Sequence, residues 1–527
     1  MKKFSKEYIL RKKTSRSIYI GIFIIALIFL GIKVEFSFTR LYKGIPSMLN
    51  LFVRMLRPNF SYKNEVFEKL LETIEMAIVS SITGVVLALP FSLVIADNIT
   101  PNKYIANILT GVFSFIRTIP SLIWATLLVS IFSIGKFSGI IALTIIGFLM
   151  ALKLFREYIE EINENQLNSI VSVGATSLQV LRYCVLPNIL QLIISVFFIV
   201  FETNIRSATI LGLVGAGGVG QIMWRDLNHL RYDNLSTLIL ILFLTILFID
   251  LFSLYIRKSL LNKHLKYKSI GQYKKIKVFK GVFIPISIMT LTFFILDLLD
   301  ISYERWLIGI NQTKEMVIRM MKIDISYYPQ FFHGIGESFF IAVFATMVGA
   351  VLTFFLAYFT AYNISPKRRI SFLLKGIINI LRTFPPIITA IIFFRGIGPG
   401  PLAGAMALSL YTTGVLTKMY SEVLENTEEN VKNSILSTGA SNLQTYILGL
   451  FPHTFSNFVS LTLYRLESNI RNATILGIIG AGGIGTMLSM NITWRNWEKV
   501  GLLLLGVSLM VMVIDKFSGY VRRLIYK

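Results

Sequence analysis

Apolar runs at about 18–34, 73–97, 104–131, 137–153, 188–212 and 236–256 alternate with short polar, mostly basic segments. Each is long enough and poor enough in charge to predict a helix that crosses a bilayer. The same six runs return 265 positions later, so the pattern predicts twelve spans in two sets of six. An even number per set brings the chain back to its starting side. Both sets then insert in the same orientation, related by a pseudo-two-fold axis along the membrane normal, which excludes inverted-repeat transporters. The expected fold is an all-α membrane protein of two tandem six-helix halves, about 12 transmembrane helices. The halves are 1–262 and 281–527, joined by a basic cytoplasmic linker at 263–280.

The duplication is visible at single residues. Glu202–Gly220 and Glu467–Gly485 share 14 of 19 residues, and the same offset pairs Glu72 with Glu337, Asn98 with Asn363, Arg117 with Arg382 and Asp250 with Asp515. A doubling held in register implies one structural unit used twice, with function at the join. With 54% hydrophobic residues, 15% charged and a mean hydropathy of +0.68, the chain has more apolar surface than a soluble protein of 527 residues can bury. The net charge of +24 sits in short segments between apolar runs, without the basic groove and interleaved aromatics of a nucleic-acid binder. Its partner is membrane lipid. Met1–Arg16 carries seven Lys/Arg against Glu7, and Arg257–Lys280 carries nine and no acid. The positive-inside rule places both, and the N- and C-termini, in the cytoplasm. The segment 35–70, with six Lys/Arg and three Glu, strains that rule; its Phe, Leu and Arg suit an amphipathic helix on the outer surface. The first run resembles a signal peptide, but its copy at about 283–299 lies mid-chain, so both read as retained helices. Cys184, the one cysteine, forms no internal disulfide.

Four features carry candidate chemistry. Gly215, Gly217 and Gly220, and again Gly480, Gly482 and Gly485, match G-x-G-x-x-G, but follow a membrane span instead of a strand, so a dinucleotide site is not expected. Such glycines let backbones approach or break a helix where it lines a cavity. No phosphate-binding G-x-x-x-x-G-K-[ST] occurs, and four histidines without ligand spacing predict no metal site. The second feature is charge within the spans. Arg117 falls about 13 residues into the third run, about 20 Å deep, with Pro120 after it as a kink. Glu202 and Arg206 stand one turn apart, as do Glu467 and Arg471, either as structural pins or as the lining of an anion passage. The third is the segment between spans four and five: Gly174, Ala175, Thr176, Leu178 and Pro187, repeated at Gly439, Ala440, Ser441, Leu443 and Pro452. A short helix with a Gly bend, present twice, reads as a docking element for a cytoplasmic partner. The fourth is negative, since no nucleophile, base or metal cluster of a membrane enzyme is present.

The Gly with a Pro thirteen residues later, before the penultimate span, resembles the coupling-loop motif of binding-protein-dependent ABC importer permeases. The glycine run and Arg117-Thr118-Ile119-Pro120 resemble the methionine and phosphonate branch. Asn204-Ile205-Arg206-Ser207-Ala208-Thr209-Ile210-Leu211-Gly212 and Gly174–Gln179 resemble the phosphonate permeases in particular. The resemblance implies two type I importer permease subunits fused in one chain, with no cofactor of its own and no catalysis. ATP would be bound by two copies of a separate ATPase docked on the loops around Gly174 and Gly439. An extracytoplasmic binding protein would deliver a phosphonate-like small anion. It also implies a translocation pathway lined by Arg117, Glu202, Asn204, Arg206, Thr209, Arg382, Glu467, Asn469, Arg471 and Thr474, with Arg206 and Arg471 suited to a phosphonate. The family's coupling motif begins with Glu, where this chain has Asn168 and Asn433, and its hydrophobic position before Leu-Pro is Cys184 and Gly449 here. Alternatives are a permease for methionine, phosphite or another oxyanion, and an ion-coupled secondary transporter, for which only Glu202 and Glu467 are placed to carry the ion.

Overall fold

A computed structural model describes residues 21–100, 102–261, 303–383 and 386–526, and among these every regular element is helical. The linker 263–280, the copy of the first run at 283–299 and the basic tail before residue 21 lie outside the described residues. The first half contains α1 (Gly21–Lys33), α2 (Phe38–Met55), α3 (Lys63–Ile95), α4 (Lys103–Thr118), α5 (Ser121–Phe132), α6 (Lys136–Glu160), α7 (Glu164–Ser172), α8 (Ser177–Val180), α9 (Leu186–Leu211), α10 (Val219–Asn228) and α11 (Tyr232–Leu261). The second half repeats the order from the second element on: α12 (Tyr303–Met320), α13 (Tyr328–Thr360), α14 (Arg368–Thr383), α15 (Pro386–Ile397), α16 (Pro401–Glu425), α17 (Glu429–Leu436), α18 (Asn442–Gln444), α19 (Phe451–Ile478), α20 (Gly483–Thr493) and α21 (Trp497–Tyr526).

Six described helices are single segments apolar and long enough to cross a membrane, and four bent pairs bring the total to ten. One of those pairs turns the kink expected at Pro120, within the run 104–131, into a full break. Helices α4 and α5 meet at 86°, and α14 and α15 at 87°. The cause is local: Pro120 lacks an N–H, and Ile119 before it is extended (φ −72°, ψ 121°). Arg117 therefore sits in the last turn of α4, not midway along a spanning helix.

The long helices α3 and α13 pack along α6 and α16, and glycine permits the close approach. A Cβ on Gly84 would lie 2.8 Å from the backbone nitrogen of Phe148. The described residues form two compact units that do not follow the sequence halves: 21–52 with 320–526, and 53–261 with 303–319. In the first unit, Phe29 and Phe36 pack on Phe340 and Phe344, and Gly44 lies against the backbone of Gly396. In the second, Gly309, the copy of Gly44, lies against Phe132, the copy of Ile397.

Candidate translocation and coupling sites

The glycine runs break a helix. Gly215, Gly217 and Gly218 have φ of 92°, 84° and 71°, and Gly480, Gly482 and Gly483 have 105°, 79° and 72°. Side chains rarely adopt that region, so the sequence must be glycine there. The turn brings Gly212 onto Gly220, where a Cβ on Gly212 would meet the Cα of Gly220 at 2.6 Å. The free N–H groups at the start of α10 are taken by side chains 146 residues away: Gly218 N donates to Glu72 Oε1 (3.0 Å) and Val219 N to Thr73 Oγ1 (2.8 Å). Gly483 N and Ile484 N donate to Glu337 Oε2 and Ser338 Oγ, both at 2.9 Å. The carboxylates of Glu72, buried, and Glu337, half-buried, cap a helix dipole as well as its N–H groups. The repeat exposed these glutamates as a pair, but only the fold assigns them.

The block before each run is mostly internal. Asn204 is fully buried and donates to Ser80 Oγ (3.1 Å) and Ser81 Oγ (2.9 Å). Asn469 is its equal, donating to Thr346 Oγ1 (2.9 Å) and Thr412 Oγ1 (2.8 Å). Thr209 and Thr474 are buried and return their hydroxyls to the carbonyls of Arg206 (2.7 Å) and Ile470 (3.2 Å). The two asparagines tie α9 and α19 to neighbouring helices, while the two threonine hydroxyls bond within their own helix.

The charged positions differ between the copies. Arg206 Nη2 donates to Glu202 Oε1 (2.6 Å) and to both oxygens of Asp250 (3.1 and 2.9 Å). The expected Glu467–Arg471 pair does not form: Glu467 Oε1 accepts instead from Arg522 Nη2 on α21 at 2.6 Å. Arg471 is half-buried and makes no ion pair among the described residues, and Asp515 Oδ1 is buried without a hydrogen-bond partner. Sequence reasoning missed the acceptor role of Asp250 and the whole of Arg522, because both come from the last helix of a half. Arg117 is exposed and lines a cavity of about 240 Å³ between α4 and α6, with Thr110, Ser114, Lys153, Arg156 and Glu160. A cavity of about 160 Å³ stands at the same positions of the second half, lined by Lys375, Asn379, Lys418 and Glu425; Arg382 is half-buried and outside its lining. Among the described residues no cluster of His, Cys, Asp or Glu could hold a metal ion.

At the end of α6 and α16 the docking elements are surface features. Gly174 and Gly439 turn with φ of 81° and 82°, exposed and with open space beside them. Thr176 and Leu443 are also exposed, Ala175 and Ala440 half-buried, and Pro187 and Pro452 exposed in the first turn of α9 and α19. Ser441 and Gln444 form a capping box, while Thr176 N donates to Gln179 Oε1 at 2.8 Å. A π-helical turn, Leu181–Val185 or Thr445–Leu450, joins each loop to the following span.

Residues 88–263 and 349–526 both match the family described as "Binding-protein-dependent transport system inner membrane component". The chain belongs to that family: it is a transport permease of the ATP-binding-cassette importers, carrying the family segment twice. It is similar to the phosphate-import permease protein PhnE of Mycolicibacterium smegmatis, with 26% identity over 497 residues, covering 93% of this chain and 91% of that one. It is also similar to the phosphite transport system permease protein PtxC of Stutzerimonas stutzeri, with 28% identity over 41% of this chain and 78% of that one. The putative cryptic phosphonate transport system permease protein PhnE2 of Escherichia coli K12 is 36% identical over 22% of this chain and 97% of its own length.

Proposed function

We propose that this permease imports a phosphorus oxyanion, phosphonate first among them, by ATP-driven alternating access. The observation that carries the reading is the likeness to permeases named for phosphate, phosphite and phosphonate, in one case along 93% of the chain. Of the two arginines at the end of the block, Arg471 makes no ion pair among the described residues, whereas Arg206 is held by Glu202 and Asp250 and would have to leave them to meet an anion. Arg206 and Arg471 occupy equivalent places on α9 and α19, and a guanidinium presents the paired donors that two phosphonate oxygens accept. The exposed loops around Gly174 and Gly439 are the docking points for two cytoplasmic ATPase subunits, with both termini on that side. A binding protein delivers the anion from the opposite face. Closure of the ATPase pair moves the loops and reverses access, a transition between two discrete arrangements. ATP stays with the partner subunits, and this chain needs no cofactor.

The test is uptake of a radiolabelled alkylphosphonate into proteoliposomes holding this chain, its ATPase and its binding protein, with ATP on the ATPase side. ATP-dependent uptake that Arg206→Ala/Arg471→Ala abolishes, with the complex still assembled, supports the reading. Uptake of methionine but not of phosphonate, phosphate or phosphite sinks the oxyanion assignment and leaves the transporter class intact.

A further inference from the structure

Arg465 breaks the symmetry of the duplication. Its copy in the first half is Val200, and Tyr411, whose ring lies 4.5 Å from the Arg465 guanidinium carbon, is copied as Ile146. Arg465 is the fifteenth of 28 residues in α19, about 21 Å along the helix from its start. Only 5% of it is exposed. No carboxylate pairs with it among the described residues; Nη1 reaches Ser468 Oγ only at a long 3.5 Å, and the Tyr411 side chain also interacts with the guanidinium. Nε and Nη2 are both buried without a partner.

A cation this deep in a membrane helix costs several kcal/mol unless something answers its charge. The Tyr411 face offsets part of that and fixes the plane of the guanidinium. What is left over has a definite shape. Nε and Nη2 form one edge of the fork, two parallel N–H donors that match two oxygens of a single tetrahedral or planar oxyanion. The depth along α19 argues for a free anion over a lipid headgroup, whose phosphate lies at the bilayer surface. We infer that Arg465, held by Tyr411, is an oxyanion seat, taking two oxygens of the transported phosphorus oxyanion on its Nε–Nη2 edge. Because the first half has Val200 and Ile146 at these positions, it holds no counterpart of this seat. The cargo is then received asymmetrically by a permease built from two like halves. The identity of the anion rests on the proposed oxyanion import; the existence of an anion seat does not.

Two measurements on the whole transporter separate these. The first is ATP-dependent uptake of labelled methylphosphonate and of inorganic phosphate by wild type, Arg465→Met and Arg465→Lys. The second is the thermal unfolding midpoint of the detergent-solubilised complex with phosphate or methylphosphonate, against chloride at equal ionic strength. Expected for Arg465→Met is uptake reduced by about thirtyfold or more, and loss of the midpoint rise that either anion gives the wild type. Arg465→Lys keeps the charge without the fork and is expected to restore part of each. A purely structural arginine would change the midpoint of the protein alone and leave the anion-induced rise in place. Uptake that survives unchanged in Arg465→Met, or an anion-induced rise that survives in it, overturns the seat. An Arg465-dependent rise in a wild type that imports neither anion retains the seat and overturns the import reading. If Arg465→Met fails to assemble, Tyr411→Leu decides, since it leaves the charge in place: an unchanged anion-induced rise then overturns the paired seat, and a weakened one supports it.

Discussion

Glu72 and Glu337 show how one side chain can hold a broken helix in a place where water is scarce. Glu72 is buried, accepts from Gly218 N at 3.0 Å and from Lys69 Nζ at 2.8 Å, and so answers both a helix start and a neighbouring cation. Glu72→Ala leaves a buried N–H without a partner, which is expected to lower stability by about 1–3 kcal/mol. Glu72→Gln keeps an acceptor oxygen and should recover most of that. Thermal unfolding of the solubilised complex checks the order wild type, Gln, Ala; Gln and Ala equal to wild type would show that the cap contributes nothing. The glycine run was readable as a backbone feature because its residue type reports φ directly. Its cap was not, since Glu72 lies 146 residues before Gly218 and nothing local links them. The same limit applies to Asp250 and Arg522, whose partners are 44 and 55 residues away. Identity between the copies drew attention to paired residues, and so passed over Arg465, which has none.

Two departures, one from the hydropathy pattern and one from the family pattern, each have a reason that lies in the sequence. Helix α4 has polar residues at Lys103, Asn107, Thr110, Ser114 and Arg117, and α14 at Arg368, Ser371, Lys375, Asn379 and Arg382. Both stripes repeat at intervals of three or four, the period of one helix face. A sum of hydropathy over the run hides the stripe, and with it the cavity that the polar face lines. In the second case the replacement of a hydrophobic residue by Gly449, a departure from the family pattern, has a packing explanation. A Cβ on Gly449 would lie 1.8 Å from Cδ1 of Ile435 on α17. Glycine lets the docking helix seat on the π-helical turn. Gly449→Val is expected to turn the Ile435 side chain aside and loosen the seat of α17 on that turn, at a cost of about 1 kcal/mol, and to reduce uptake per ATP hydrolysed while the ATPase still binds. Ile435→Ala removes the clashing atom, so Gly449→Val/Ile435→Ala should recover coupling relative to Gly449→Val. Measuring uptake and hydrolysis together on the same proteoliposomes decides it: if the double variant is no better than the single, the contact does not set the coupling.

At the scale of the molecule, the sequence duplication and the compact units divide the chain differently. The repeat predicts two like halves, and the family segment indeed matches 88–263 and 349–526. Yet residues 21–52 pack with 320–526, and 303–319 pack with 53–261. Sequence could not reveal this, because α2 and α12 are copies of each other and their apolar faces look the same whichever half they join. The contact at Gly44 makes the dependence concrete: the backbone of Gly396 lies where any side chain at residue 44 would stand, with Cβ-to-oxygen distance 2.5 Å. A surface shaped so closely has its complement only in the other half. Neither half expressed alone is then expected to fold stably, because each lacks the helix that covers it and exposes the face that its own first helix should share. Fragments 1–270 and 271–527, made from separate messages in the same cell, restore both contacts without the covalent link. Co-expression should therefore recover a complex that purifies intact through a tag on either fragment, whereas each fragment alone is degraded or aggregates. Gly44→Leu should weaken that recovery, since it blocks a contact which, without the linker, must form between two chains and no longer benefits from the high effective concentration of a tether. If either fragment alone behaves as a stable monomer with an undiminished unfolding midpoint, the exchange of first helices contributes nothing to the fold.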